Sequence, residues 1–224
     1  MKKISVCIVE DVTDIRLALE QIIELSDGCT LAASFATGKE ALAKILLLKP
    51  EVVLMDIGLG STNGIELVKE LKPQNPDILY MMCTVYEEEE KIFEALLAGA
   101  SGYILKKSSP AKLTEAIKEL VEGGAPMSSQ IAMKVVNAFK HLSVKVALPP
   151  RQESPDLEVL SRREKEILEW LVQGKIYKEI SSELGISVET IRKHVYNIYE
   201  KLHVNNRVEA VNKYFERKPF KDNS

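Results

Sequence analysis

Cysteine is scarce in this chain, and long apolar runs are missing. Cys7, Cys29 and Cys83 lie far apart among 224 residues, and no C-x-x-C pair occurs. That spacing excludes a disulfide framework and a cysteine-based zinc site. Cys7 and Cys83 sit inside apolar runs, where a free cysteine behaves as a small core residue. No stretch approaches the roughly 20 apolar residues of a membrane-spanning helix. The opening residues, Met1–Val9, run from basic to apolar as a signal peptide does. Their apolar part is short, carries Ser5, and ends in Glu10-Asp11 without a small-residue cleavage site. It reads as a buried strand, and a cytoplasmic protein is expected. Internal repeats and low-complexity tracts are also lacking, which excludes a repeat architecture.

What remains is an ordinary globular composition, 46% hydrophobic and 28% charged. The length suits two domains on a prior of roughly 100–200 residues each. A net charge of −3 conceals a split: residues 1–125 carry 13 Lys+Arg against 20 Asp+Glu, and residues 126–224 carry 17 against 13. The acidic first part and basic second part suggest separate partners, the second compatible with nucleic acid.

The first part alternates short apolar runs with amphipathic segments. Strands are expected at Ile4–Val9, Leu31–Phe35, Val52–Met55, Ile78–Cys83 and Gly102–Leu105. Helical spacing covers Asp14–Leu25, Lys39–Leu48, Gly64–Leu71, Glu88–Ala98 and Ala111–Glu122, with Ile15, Leu19, Ile22 and Ile23 on one face of the first. Near-continuous apolar strands such as Val52–Met55 indicate burial on both faces, as in a parallel sheet. Repeated βα units give an α/β domain with a doubly wound, five-stranded parallel sheet. Gly123-Gly124-Ala125-Pro126 then breaks the pattern, a helix is expected near 128–142, and Pro149-Pro150 and Pro155 mark a linker. From Ser161 to about Tyr214 the pattern is wholly helical. The expected division is a domain at 1–124, a linker at 125–158, a small all-α domain at 159–217 and a frayed tail at 218–224.

Ligands of such a sheet sit beyond the carboxyl ends of its strands. Glu10 and Asp11 follow the first strand, Asp56 the third, Thr84 ends the fourth, and Lys106 follows the fifth. Three carboxylates at one edge repel one another unless a cation joins them, and Mg²⁺ prefers carboxylate oxygens. The set suits phosphoryl transfer to a carboxylate, with Asp56 as nucleophile, metal and Lys106 neutralising phosphoryl oxygens, and Thr84 supplying a hydroxyl. Any one of these residues alone is as readily a solvated rim charge. Glu87–Glu90 reads as an acidic helix start favoured by the helix dipole.

These residues carry a resemblance. Through Val9-Glu10-Asp11, Leu54-Met55-Asp56-Ile57, Cys83-Thr84 and Gly99–Lys106, residues 2–122 resemble the receiver domain of two-component response regulators. The resemblance implies the flavodoxin-like strand order 2-1-3-4-5 and phosphorylation of Asp56 by a sensor histidine kinase. It implies Mg²⁺ held by Glu10, Asp11, Asp56 and the Gly58 carbonyl, with Thr84 and Tyr103 as the switch pair. Two positions differ from the family pattern: Leu59-Gly60 stands where Met-Pro is usual, and Val85 where a small residue commonly follows the switch threonine. An aspartyl-nucleophile phosphatase would use similar chemistry. It would need a second Asp two residues after the nucleophile, and position 58 is glycine. A regulator that binds partners without being phosphorylated is the other alternative.

In the second part, Ile176–Leu184 and Val188–Leu202 are helical patterns joined by Gly185-Ile186-Ser187, the helix-turn-helix arrangement. Ser187 suits the N-cap, and Ile191, Val195, Ile198 and Leu202 form the inward stripe. Arg192, Lys193 and Tyr196 are left on the outer surface, where a basic helix start enters a major groove. Trp170 and His194 read as packed structural residues. Residues 160–214 resemble a LuxR-type helix-turn-helix domain, through Leu160–Leu168, Lys178–Ser181, Leu184–Ser187, Thr190–His194 and Lys201-Leu202. The resemblance places the chain with the NarL/FixJ type of response regulator. It implies double-stranded DNA as a partner, with Arg192, Lys193 and Tyr196 facing it and Lys178 and Thr190 on phosphates. It also implies a homodimer when phosphorylated, reading inverted half-sites. Val208, Val211 and Tyr214 either serve that dimer or complete the domain's own core.

Overall fold

The computed structural model describes residues 2–135 and 159–215. The chain divides into two compact units, an α/β unit and a helical one. No helix among the described residues is long and apolar enough to cross a membrane.

The first unit is built on strands β1 (Ile4–Val9), β2 (Cys29–Phe35), β3 (Val52–Met55), β6 (Leu79–Thr84) and β7 (Gly102–Leu105). They form one sheet in the order β2-β1-β3-β6-β7, every pair parallel, which is 2-1-3-4-5 when sheet strands alone are counted. Between β3 and β6, β4 (Gly58–Leu59) and β5 (Thr62–Asn63) make a small antiparallel ribbon. Leu59-Gly60 thus enters a ribbon turn, and the Leu59 side chain is buried.

Helices α1 (Thr13–Glu24), α2 (Gly38–Leu48), α3 (Gly64–Leu71), α4 (Glu89–Leu97) and α5 (Pro110–Val121) link the strands. On one face of the sheet, Val6, Ile8, Leu54, Met81, Cys83 and Ile104 pack with Leu19 and Ile23 of α1 and with Leu113, Ile117 and Leu120 of α5. Alternate strand residues, Cys7, Val9, Val53, Met55, Tyr80 and Met82, are equally buried and face the other side. All three cysteines are free and buried, as Cys7 and Cys83 were expected to be.

Local chemistry sets the helix starts. The Thr37 side chain accepts from the Glu40 amide ahead of α2, and Asn63 Oδ1 accepts from the Ile65 amide ahead of α3. Glu89 opens α4 with Glu88 at its N-cap, so the acidic run does lie at a helix start. Residues 129–135 are helical and belong to the first unit. The rest of the helix expected near 128–142, the proline-marked segment to 158 and the tail 218–224 lie outside the described residues.

The second unit holds α6 (Arg162–Val172), α7 (Tyr177–Leu184), α8 (Val188–Leu202) and α9 (Arg207–Phe215). Its core gathers Leu160, Ile167, Leu168, Leu171, Ile180, Ile191, Val195, Ile198, Leu202 and Ala210. The four inward residues expected on α8 are all in this core. Ser161 forms a capping box with Glu164 at the start of α6. Gly185 ends α7 in the left-handed conformation, φ 64°, which turns the chain sharply into the Ser187 cap of α8.

Candidate functional site

The parallel order brings the ends of β1, β3, β6 and β7 to one edge. Glu10 follows β1, Asp56 follows β3, Thr84 closes β6 and Lys106 follows β7, so residues dispersed along the chain become neighbours. One oxygen from each of Glu10, Asp11 and Asp56 lies within 4.8 Å of the others. Glu10 and Asp56 are buried and Asp11 is exposed, so the cluster opens to solvent on the Asp11 side. Lys106 Nζ lies 2.6 Å from Glu10 Oε2 and 2.9 Å from Asp56 Oδ2.

Burial pushes the Glu10 carboxyl above its ordinary pKa, while Lys106 opposes that shift. For Lys106, burial disfavours the charge, but hydrogen bonds to Glu10 and Asp56 outweigh it and hold the ammonium above its ordinary pKa. Asp56 Oδ1 and Thr84 Oγ1 are buried without hydrogen-bond partners. An acceptor and a hydroxyl left this way carry a desolvation cost that a ligand at the strand ends would relieve. The carboxylate set, hard oxygens around an open side, fits a magnesium ion.

Tyr103 lies fully buried on β7, and its hydroxyl donates to the Tyr86 carbonyl at 2.9 Å. Val85, beside Thr84, is 65% exposed. Two participants were missed in the sequence. Arg16 Nη1 donates to the Glu10 carbonyl at 2.8 Å and fixes the turn into α1. The Tyr86 ring covers Gly58: a Cβ there would stand 3.5 Å from the Tyr86 hydroxyl and 3.8 Å from Asp56 Oδ2. Helical spacing from Val12 marks Arg16 only as a surface residue, and nothing local marks Tyr86.

In the second unit, the Ser187 hydroxyl accepts from the Thr190 amide at 3.1 Å, and the two hydroxyls are 2.8 Å apart. Lys178, Thr190, Lys193 and Tyr196 are exposed, and Arg192 is half-buried beside Glu189. The recognition candidates therefore share the outer side of α8 and the start of α7. His194 is half-buried, and Trp170 packs against the helical core with Lys175 over its ring at 5.9 Å. Tyr177 also packs against that core. On α9, Ala210 is buried and Tyr214 packs on the core, while Val208 and Val211 are half-buried. At least part of the stripe expected on this helix therefore serves the unit itself.

A capped and fastened scaffold holds these helices. The Glu164 carboxylate accepts from Lys201 Nζ at 2.7 and 3.0 Å and from the Ser161 amide at 2.7 Å, which ties α6 to α8. Arg163 Nη2 donates to the Leu184 carbonyl at 3.0 Å, tying α6 to the end of α7.

Comparison with known proteins agrees with both halves. The response regulator receiver domain family matches residues 6–118, and the family of bacterial regulatory proteins of the LuxR type matches residues 158–214. The chain is 29% identical to the transcriptional regulatory protein DegU of Brevibacillus brevis, over 93% of this chain and 92% of that protein. It is 30% identical to the response regulator protein VraR of Staphylococcus aureus, over 93% of this chain and 94% of that one. Among solved structures, response regulator ChrA of a heme-sensing two-component system is 30% identical with a TM-score of 0.51, covering 97% of this chain and 98% of that one.

Proposed function

The chain belongs to the two-component response regulators that join a receiver domain to a LuxR-type DNA-binding domain, and on that premise we propose that a sensor histidine kinase phosphorylates Asp56 to control dimerisation and transcription. The observation that carries this reading is the convergence of Glu10, Asp11, Asp56 and Lys106 at one sheet edge. We divide the chain into a receiver over 1–124, a linker over 125–158 whose described first part packs with the receiver unit, a DNA-binding domain over 159–217 and a tail over 218–224.

An Asp56 oxygen displaces the phosphohistidine nitrogen in line: the N–P bond breaks as the O–P bond forms. Glu10, Asp11, Asp56 and the Gly58 carbonyl would hold Mg²⁺, which when bound neutralises phosphoryl oxygens. Lys106 already touches both buried carboxylates and supplies the second positive charge. The Thr84 hydroxyl, buried and unpartnered, gains an acceptor when a phosphoryl oxygen arrives. Drawing Thr84 toward that oxygen displaces the chain that follows it, whose Tyr86 carbonyl is held by Tyr103. Glycine at position 58 provides no second acid or base of the kind an aspartyl-nucleophile phosphatase uses, so the receiver's chemistry is confined to phosphorylation and dephosphorylation of its own Asp56.

Double-stranded DNA is the second partner. Arg192, Lys193 and Tyr196 on α8 face the DNA, within reach of base edges or phosphates, while Lys178 and Thr190 contact phosphates. A phosphorylated homodimer would favour inverted half-sites by its two-fold symmetry. This reading has the protein work in the cytoplasm.

The test is incubation of the full chain with Mg²⁺ and acetyl phosphate, followed by intact-mass spectrometry and selection of DNA by both forms. One added phosphate that disappears in Asp56→Ala, together with tighter specific DNA binding, is the expected result. No added phosphate with DNA binding intact would replace this reading with a regulator that works without phosphorylation.

A further inference from the structure

The chain after α5 returns to the free edge of the sheet. β7 is an edge strand, and its Tyr103 amide donates to the Pro126 carbonyl at 2.9 Å while Tyr103 bridges to Met127 in parallel. This pairing covers an edge that would otherwise stay open. It also requires a bare backbone at Gly102, where a Cβ would stand 3.0 Å from Pro126 Cγ and 3.3 Å from the Pro126 carbonyl oxygen. Ser128 Oγ accepts from the Ile131 amide, residues 129–135 are helical, and Ile131 is fully buried. The returning segment is thus anchored by backbone pairing at one end and by an apolar side chain in its helix.

One turn beyond Ile131, Lys134 Nζ donates to the Glu87 carbonyl. The Glu87 carboxylate is held 2.6 Å from Lys107 Nζ, and the hydrogen bond from Lys107, joined by the Lys107 and Lys134 charges, keeps it below the ordinary carboxylate pKa. The preceding carbonyl, that of Tyr86, accepts from Tyr103. Two successive carbonyls just beyond Thr84 are therefore held by donors from β7 and from the returning segment. The Tyr86 ring covers Gly58, where a Cβ would also stand 3.8 Å from Asp56 Oδ2.

We infer that Lys134 is a positioning residue for the phosphoacceptor site. By holding the Glu87 carbonyl it sets where Thr84 and Tyr86 stand over Asp56. A change at Asp56 that moves Thr84 must then be felt in the segment 126–135, and loosening that segment must be felt at Asp56, because coupling is reciprocal. The inference rests on Asp56 being the phosphoacceptor. It adds to that reading a physical contact between the site and the chain that leaves the receiver.

The experiment compares full-length wild type with Lys134→Met, which keeps the apolar stem, and Lys134→Arg, which keeps a charged donor. Amide hydrogen exchange is read over 85–88 and 126–135, and phosphate gain from acetyl phosphate and its later loss are read by intact mass. Denaturation midpoints show that each variant is folded. In Lys134→Met, exchange at 85–88 and the rate of phosphate loss should each rise about fivefold, the worth of one hydrogen bond, with Lys134→Arg within about twofold of wild type. Phosphorylation of the wild type should also change exchange over 126–135. Unaltered phosphate loss in a folded Lys134→Met protein, or equal defects in both variants, would overturn the role given to Lys134 while leaving Asp56 as phosphoacceptor. A wild type that takes up no phosphate would remove the reading of Asp56, and the role of Lys134 with it.

Discussion

Lys106 Nζ lies 2.6 Å from Oε2 of Glu10, a carboxylate with no solvent exposure. The same ammonium reaches Asp56 Oδ2 at 2.9 Å, so one cation joins two buried anions from different strand ends. Such an arrangement is tolerable only while the cation is present, because each carboxylate has left water. Replacement by Lys106→Met should destabilise the first unit by about 3–5 kcal/mol without Mg²⁺, as breaking a buried ion pair does. Millimolar Mg²⁺ should restore part of that loss. Urea denaturation of wild type and variant, each in chelator and in Mg²⁺, measures both effects. Equal stability in chelator would show that the bridge contributes nothing.

Substitution of Thr84 should separate stability from switching. Its hydroxyl is buried and unpartnered, so Thr84→Val removes a polar atom that gains nothing in the unphosphorylated protein. The variant should be as stable as wild type or more stable by up to about 1 kcal/mol. It should still accept phosphate on Asp56 but lose most of the phosphate-dependent gain in DNA affinity. Intact mass and a binding titration on both forms check this, and a fully retained gain would rule Thr84 out as the switch residue.

The second unit should fail in acid through Glu164. Burial alone would raise this carboxyl, but hydrogen bonds from Lys201 and Ser161 outweigh it and hold the pKa below its ordinary value of 4.5. A carboxyl lowered on folding contributes stability that is fully present above its unfolded pKa and is lost as pH falls through its folded one. The unit should therefore keep this contribution at neutral pH and lose it below about pH 4.5. Lys201→Met should cost about 1–2 kcal/mol at pH 7, less than a fully buried pair because Lys201 is partly screened by solvent. Its effect should shrink as the pH falls below 4, which thermal unfolding at several pH values would reveal.

Contacts to phosphates and bases should separate in a salt titration. Lys178→Ala should weaken binding to all sequences alike and reduce the salt slope by about 1. Arg192→Ala should instead relax the preference at one position of the selected site by about 1–3 kcal/mol. Binding of the selected site and of single-base variants, at several salt concentrations, distinguishes the two. A uniform loss for Arg192→Ala would move it to the phosphate-binding group.

Periodicity made most of the architecture readable. β1, β3 and β7 have the bounds expected from their apolar runs, and β6 is shifted by one residue. β2 starts two residues earlier than expected, at Cys29, because it is an edge strand and its exposed Thr30 breaks the apolar signal. The ribbon at Gly58–Asn63 left no periodic trace, since each of its strands has two residues. Of the site, the residue types were legible and their contacts were not. The Lys134–Glu87 contact spans 47 positions and the Lys201–Glu164 contact 37. No local pattern encodes either.

The sequence by itself determined the element types, the inward faces, the helix caps and the residues that carry chemistry. Each of these depends on neighbours within a turn of helix or a pleat of strand. Only the tertiary structure decided that Lys106 bridges Glu10 and Asp56, that Thr84 lacks a partner, that Tyr86 covers Gly58 and that Lys134 returns to Glu87. Those relations depend on strand order and register. Both are set by how the whole apolar surface closes on itself, and a side chain's position in the chain does not carry that information.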